Sequence, residues 1–136
     1  MLGVSKYPKP YIEQCRARFG AQLDAYEALA SATPAADATG AFEPGFCGHM
    51  LMALEMSFVH RLRGVEGKDG NPLNEARVLC SSLLLHEGVM TPEKSIKLKP
   101  DESLLGYREG DRIELTIPQL RRLSDAFFAE LERRFS

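Results

Sequence analysis

Residues 46–63 read FCGHMLMALEMSFVHRLR, and this stretch decides the fold. Phe46, Cys47, Met50, Leu51, Met52, Ala53, Leu54, Met56, Phe58, Val59 and Leu62 fall on every side of a helix. A helix that is apolar all round is a buried one. The expectation is therefore a central helix over about 46–63, stopped by Gly64, with Arg61 and Arg63 in its last turn where cations suit the dipole.

Upstream, residues 1–9 read as an irregular arm, because Pro8 and Pro10 halt any earlier helix. From Pro10 onward Ile12, Cys15, Phe19, Leu23, Tyr26 and Ala30 recur at spacings of three and four, one apolar helical stripe. Residues 31–41, SATPAADATGA, lack periodicity and predict a flexible loop. Downstream, Gly64, Gly67 and Gly70 mark a polar loop. Asn71 followed by Pro72 is a helix start, and Leu73, Ala76, Leu79, Cys80, Leu83 and Leu84 form the next stripe, ending near His86 with Gly88 beyond it.

Over 95–117 the period changes to two. Ile96 and Leu98 alternate with lysines, and Ile113, Leu115 and Ile117 alternate with Glu114 and Thr116, which predicts a small antiparallel hairpin or sheet. Thr116 with Gln119 forms a capping box around Pro118 and opens a last helix with Leu120, Leu123, Phe127, Leu131 and Phe135 inward. The fold class expected is mainly helical (α+β): about four helices around the central apolar one, a β element before the last, and one domain over residues 1–136.

Charge and cysteine content narrow the function. Lys and Arg number 17 against 19 Asp and Glu. Seven of each lie up to Lys68, and ten basic against twelve acidic follow. Neither half carries the basic footprint of a nucleic-acid binder, and the link between the second and third helices is too long and polar for a helix-turn-helix. Cys15, Cys47 and Cys80 are odd in number and each sits in an apolar helical pattern, so buried thiols in a reducing, cytoplasmic setting are expected rather than a disulfide framework. No apolar run approaches a membrane span, and the N-terminus lacks a secretory signal. No metal or cofactor motif is present, and none is expected.

Glu55 lies mid-helix among apolar neighbours. A buried carboxylate needs a cation, a hydrogen bond or a proton, and Arg16, Arg77 and His86 are its candidate partners. His49 and His60 share a helical stripe but stand about 16 Å apart along the axis, too far for one metal ion. Cys47 and His49, two apart on a helix, point away from each other and make no nucleophile–base pair. The densest polar stretch runs from His60 to Arg77 and leads into a helix N-terminus, where an anion is favoured. It holds the candidate site residues: Glu55 and His60 for proton transfer or orientation, and Arg61, Arg63, Lys68, Asn74 and Arg77 for an anionic ligand. On a helix Arg61 and Arg63 diverge, so at most one joins His60. His60 and Arg77 lining one cavity would favour such a site, and both pointing into solvent would exclude it.

The segment FVHRLRGVEGKDGNPLNEAR, with AFFAELERRF near the C-terminus, resembles a group of short bacterial proteins of unassigned function, from about Tyr11 to the end of the chain. The resemblance implies a shared fold and transfers no catalytic residue. Two functions stay open: a non-catalytic binding or assembly protein, a homodimer in its simplest form, and a small-anion-binding protein or enzyme built on the 60–77 turn.

Overall fold

The structure, a computed structural model, describes residues 3–33 and 36–136. Its helices begin where local chemistry favours a start. Helix α1, Lys9–Ala32, opens with Pro10 in its first turn. Helix α2 spans Ala36–Ser57, and α3 is the single turn Arg63–Glu66. Helix α4, Pro72–Leu85, is capped by Asn71, whose side-chain oxygen accepts from the Leu73 and Asn74 N–H groups at 3.0 and 3.2 Å. It ends through Glu87 and Gly88, both at positive φ, with the Gly88 N–H donating to the Ser82 carbonyl at 3.1 Å. Helix α5, Ile117–Phe135, carries the full capping box of Thr116 and Gln119.

The hub is α5, which touches all four other helices. It buries Leu120, Leu123, Phe127, Phe128, Leu131 and Phe135. Against it lie α1, which buries Ile12, Cys15, Phe19 and Leu23, and α4, which buries Leu73, Ala76, Leu79 and Cys80. Each buried leucine or phenylalanine contributes about 1.5–3 kcal/mol of apolar burial, so this stripe supplies much of the driving force. All three cysteines are buried and free. No helix among the described residues is long and apolar enough to cross a membrane.

The central-helix expectation needs correction. Helix α2 runs 36–57 rather than 46–63 and is buried on one side only. Cys47, Leu51, Leu54 and Glu55 face inward, whereas Phe42 and Met56 are 58% and 68% exposed. The helix ends early because the arm intercepts it. The Val4 N–H donates to the His60 carbonyl at 2.7 Å, and the Leu62 N–H to the Val4 carbonyl at 2.8 Å, which pulls 60–62 into extended pairing. Gly64 accordingly sits inside α3 rather than stopping α2. The expected 31–41 loop is also helical over 31–32 and 36–41; residues 34–35 of it, like residues 1–2 of the arm, lie outside the described residues.

The predicted hairpin is absent: the described residues contain no strand, only three isolated bridges. Alternation read burial correctly, since Ile96, Ile113, Leu115 and Ile117 are buried. It misassigned the partners. The 95–99 segment meets the polar loop, with the Lys97 N–H on the Lys68 carbonyl at 2.7 Å. The 110–113 segment pairs with 88–90, through the Met90 N–H on the Asp111 carbonyl at 2.8 Å and the Ile113 N–H on the Gly88 carbonyl at 2.8 Å. Both are extended strips laid on helices, and their apolar side chains fill the helical core instead of forming a sheet face.

Candidate functional site

Most of the polar residues singled out in the sequence converge on one buried point, the carboxylate of Glu66. Arg61 follows the turn that ends α2, so its side chain enters the core, and Arg63 starts the next helical turn. Arg77 reaches over from α4. Arg61 and Arg63 each hydrogen-bond Glu66, and Arg77 does so twice, Nε at 3.0 Å and Nη2 at 3.1 Å. Arg61 also holds Glu55 with both terminal nitrogens, at 3.1 and 3.2 Å. Its remaining N–H groups donate to the Phe58 and Leu73 carbonyls, and its guanidinium lies 5.2 Å from the Phe127 ring centroid. All five donors of this fully buried group are thereby satisfied, which a buried charge requires.

Glu55 is thus neutralised chiefly by Arg61, with Arg77 at 3.9 Å; Arg16 pairs instead with Glu132 on the surface. Burial alone would raise the Glu66 carboxyl, but the hydrogen bonds and charges of Arg77 and Arg61 outweigh it and hold the group below the ordinary carboxylate value. Asn74 braces the loop that follows: it accepts from Arg63 at 3.0 Å and donates to the Gly67 and Asp69 carbonyls at 3.1 and 2.7 Å. Arg134 reaches in from α5 and donates to the Glu66 carbonyl at 2.8 Å. Gly67, at φ 83°, lets the chain pass close to it.

Of the candidate residues, Glu55, Arg61, Arg63, Asn74 and Arg77 therefore meet, while His60 and Lys68 are exposed and stand outside the cluster. Arg61 and Arg63 do converge, because they lie beyond the end of α2 rather than on one helix. The anion they gather around is the protein's own Glu66. No sequence signal marked Glu66 apart from its polar neighbours; only the turn after Ser57 reveals it.

His60 faces a different feature. The arm and the start of α1 form one wall of an apolar groove, and the end of α2 and its turn form the other. Val4, Lys6, Tyr7, Pro8 and Tyr11 line the first wall; Met56, Ser57, Val59 and His60 line the second, enclosing about 640 Å³. Tyr11 donates its hydroxyl hydrogen to the Ser57 carbonyl at 2.6 Å, closing an otherwise open helix end. Tyr7 packs edge-on to Phe58 at 5.0 Å, and its N–H donates to the Phe135 carbonyl at 2.6 Å. The Tyr7 hydroxyl is buried with no hydrogen-bond partner among the described residues, and burial raises its pKa against the lowering pull of Arg61. A second, separate cavity of about 280 Å³ lies between α1 and α2, bordered by Ser57, Cys15, Arg18, Phe19, Met50, Ala53 and Leu54. Arg77 does not line the groove that holds His60.

Two of the buried thiols, Cys47 and Cys80, offer no reactive alternative. Burial pushes the Cys47 thiol up to about 11 and raises Cys80 further, so neither supplies a thiolate at neutral pH. No protein-family model matches the chain, and comparison with curated proteins and with solved structures gives no match.

Proposed function

We propose that this chain is a non-catalytic binding protein whose working surface is the apolar groove between the N-terminal arm and the end of α2. The observation that carries the reading is the groove itself. Its volume lies in the range of small-molecule sites, about 300–1,000 Å³. Its walls are fixed by backbone hydrogen bonds of Val4, Leu62 and Tyr7, so it is formed before anything enters. The competing anion site on the 60–77 turn is disfavoured because Glu66 already occupies the point where Arg61, Arg63 and Arg77 meet.

The neutral dye N-phenyl-1-naphthylamine tests the reading. Saturable fluorescence enhancement is expected, with amide shift changes confined to residues 4–11 and 56–60. Non-saturable binding, or shifts centred elsewhere, such as the exposed Leu84 and Leu85, would refute it.

A second reading, a homodimer, is favoured by one observation. The exposed residues between Asp37 and His60, among them Ala41, Phe42, Gly45, Ala53 and Met56, include no Asp, Glu, Lys or Arg, and His49 is the one polar side chain in their midst. A solvated helix ordinarily carries charge on its outer side, and an uncharged apolar one suits a second copy.

A further inference from the structure

We infer that the groove takes a small organic anion with an apolar body, an acyl or aryl carboxylate. This rests on the groove being the working surface and adds the chemistry of its occupant. The lining has two parts. Val4, Tyr7, Tyr11, Met56 and Val59 give an apolar floor, and among the described residues two basic side chains, Lys6 and His60, stand at its edge. No Asp or Glu among the described residues lines this cavity or the separate one between α1 and α2, which Arg18 borders.

Neither Lys6 nor the His60 ring makes an ion pair or side-chain hydrogen bond among the described residues. The arginines of the 60–77 turn, by contrast, are all matched with Glu66. An apolar chain or ring would fill the floor, and its carboxylate would meet Lys6 and His60 at the rim. A neutral ligand would leave the Lys6 charge unmatched, and a cationic one would be repelled by it.

Competition against N-phenyl-1-naphthylamine, with octanoate and octanol as the two competitors, tests this. Octanol is the more apolar of the pair, so a groove that recognised only hydrocarbon would favour it. Octanoate is expected to displace the dye at about two- to fivefold lower concentration, the fold-change one exposed charge pair supplies, and the advantage should shrink at molar salt. It should also vanish in a Lys6→Gln/His60→Gln double variant. Equal or better displacement by octanol, or a preference that survives in the double variant, would overturn the inference while leaving the groove as a binding surface. Should the dye itself fail to bind, octanoate is titrated directly by amide shifts. Absence of change at residues 4–11 and 56–60 then rejects both the occupant and the surface.

Discussion

Glu66 is the residue on which the buried charges depend. With no side-chain exposure it faces Arg61, Arg63 and Arg77, and removing it strands a fully buried guanidinium that then has only Glu55. Breaking a buried ion pair from one side costs about 3–5 kcal/mol. Glu66→Gln is therefore expected to lower the unfolding free energy by about that amount at neutral pH, measured by urea denaturation. Arg16→Gln, which breaks a half-exposed pair with Glu132, should cost no more than about 1 kcal/mol. The pH dependence has a definite sign. Because the folded state holds the Glu66 carboxyl below its ordinary value, its contribution is complete above the unfolded carboxylate pKa, about 4.3, and is lost as pH falls through the folded value. The acid limb of stability should flatten in Glu66→Gln; an unchanged acid slope would contradict this role. Tyr7 gives the opposite expectation. Its hydroxyl is buried without a partner, and a buried hydroxyl left unmade carries a desolvation penalty of about 1–3 kcal/mol. Tyr7→Phe should leave stability unchanged or raise its unfolding midpoint in the same urea assay.

Helix boundaries show how far local chemistry reaches. Asn71–Pro72 and Thr116–Gln119 were legible because a cap is written within four residues, and the structure keeps both. Thr116→Ala should accordingly cost about 1 kcal/mol by loss of the Gln119 N–H acceptor, read as a lowered thermal midpoint. The end of α2 was not legible, because it is set by Val4, more than fifty residues upstream, whose backbone captures 60–62. The same limit hid the site. Arg61 and Arg63 diverge on a helix and converge beyond one, so their meeting at Glu66 depends on a turn that no local pattern encodes. Alternation over 95–117 reported which side chains are buried but not what covers them. A strip laid on helices and a strand in a sheet bury every second residue alike. Glu75 shows what replaces a sheet here: its buried carboxylate accepts the Leu104 and Leu105 N–H groups at 2.8 and 3.0 Å, in the bend that joins the two strips.

Among the described residues, the apolar face of α5 is covered and that of α4 is open only at Leu84 and Leu85 in its last turn, whereas α2 turns Phe42, Ala53 and Met56 to solvent along a helix about 33 Å long, at 1.5 Å per residue. Met56 also lines the groove, so a second copy docked along α2 and a ligand in the groove would compete for one side chain. That overlap makes the two readings separable in a single experiment. Sedimentation at increasing concentration measures the mass, and Ala53→Glu places a charge in the middle of this face, at a residue that borders the smaller cavity but lies outside the core and the lining of the larger one. If α2 is a dimer face, the parent chain should pass from about 15 to about 30 kDa, the monomer being 15.1 kDa, and Ala53→Glu should hold it at the lower value, because an unpaired buried charge at an interface is strongly unfavourable. Octanoate should then shift the parent toward monomer by linkage, since a ligand that binds only the open groove stabilises the form that exposes it. A chain that stays monomeric at every concentration would remove the homodimer and leave the groove, with Met56 free in its wall, as the surface through which the protein acts.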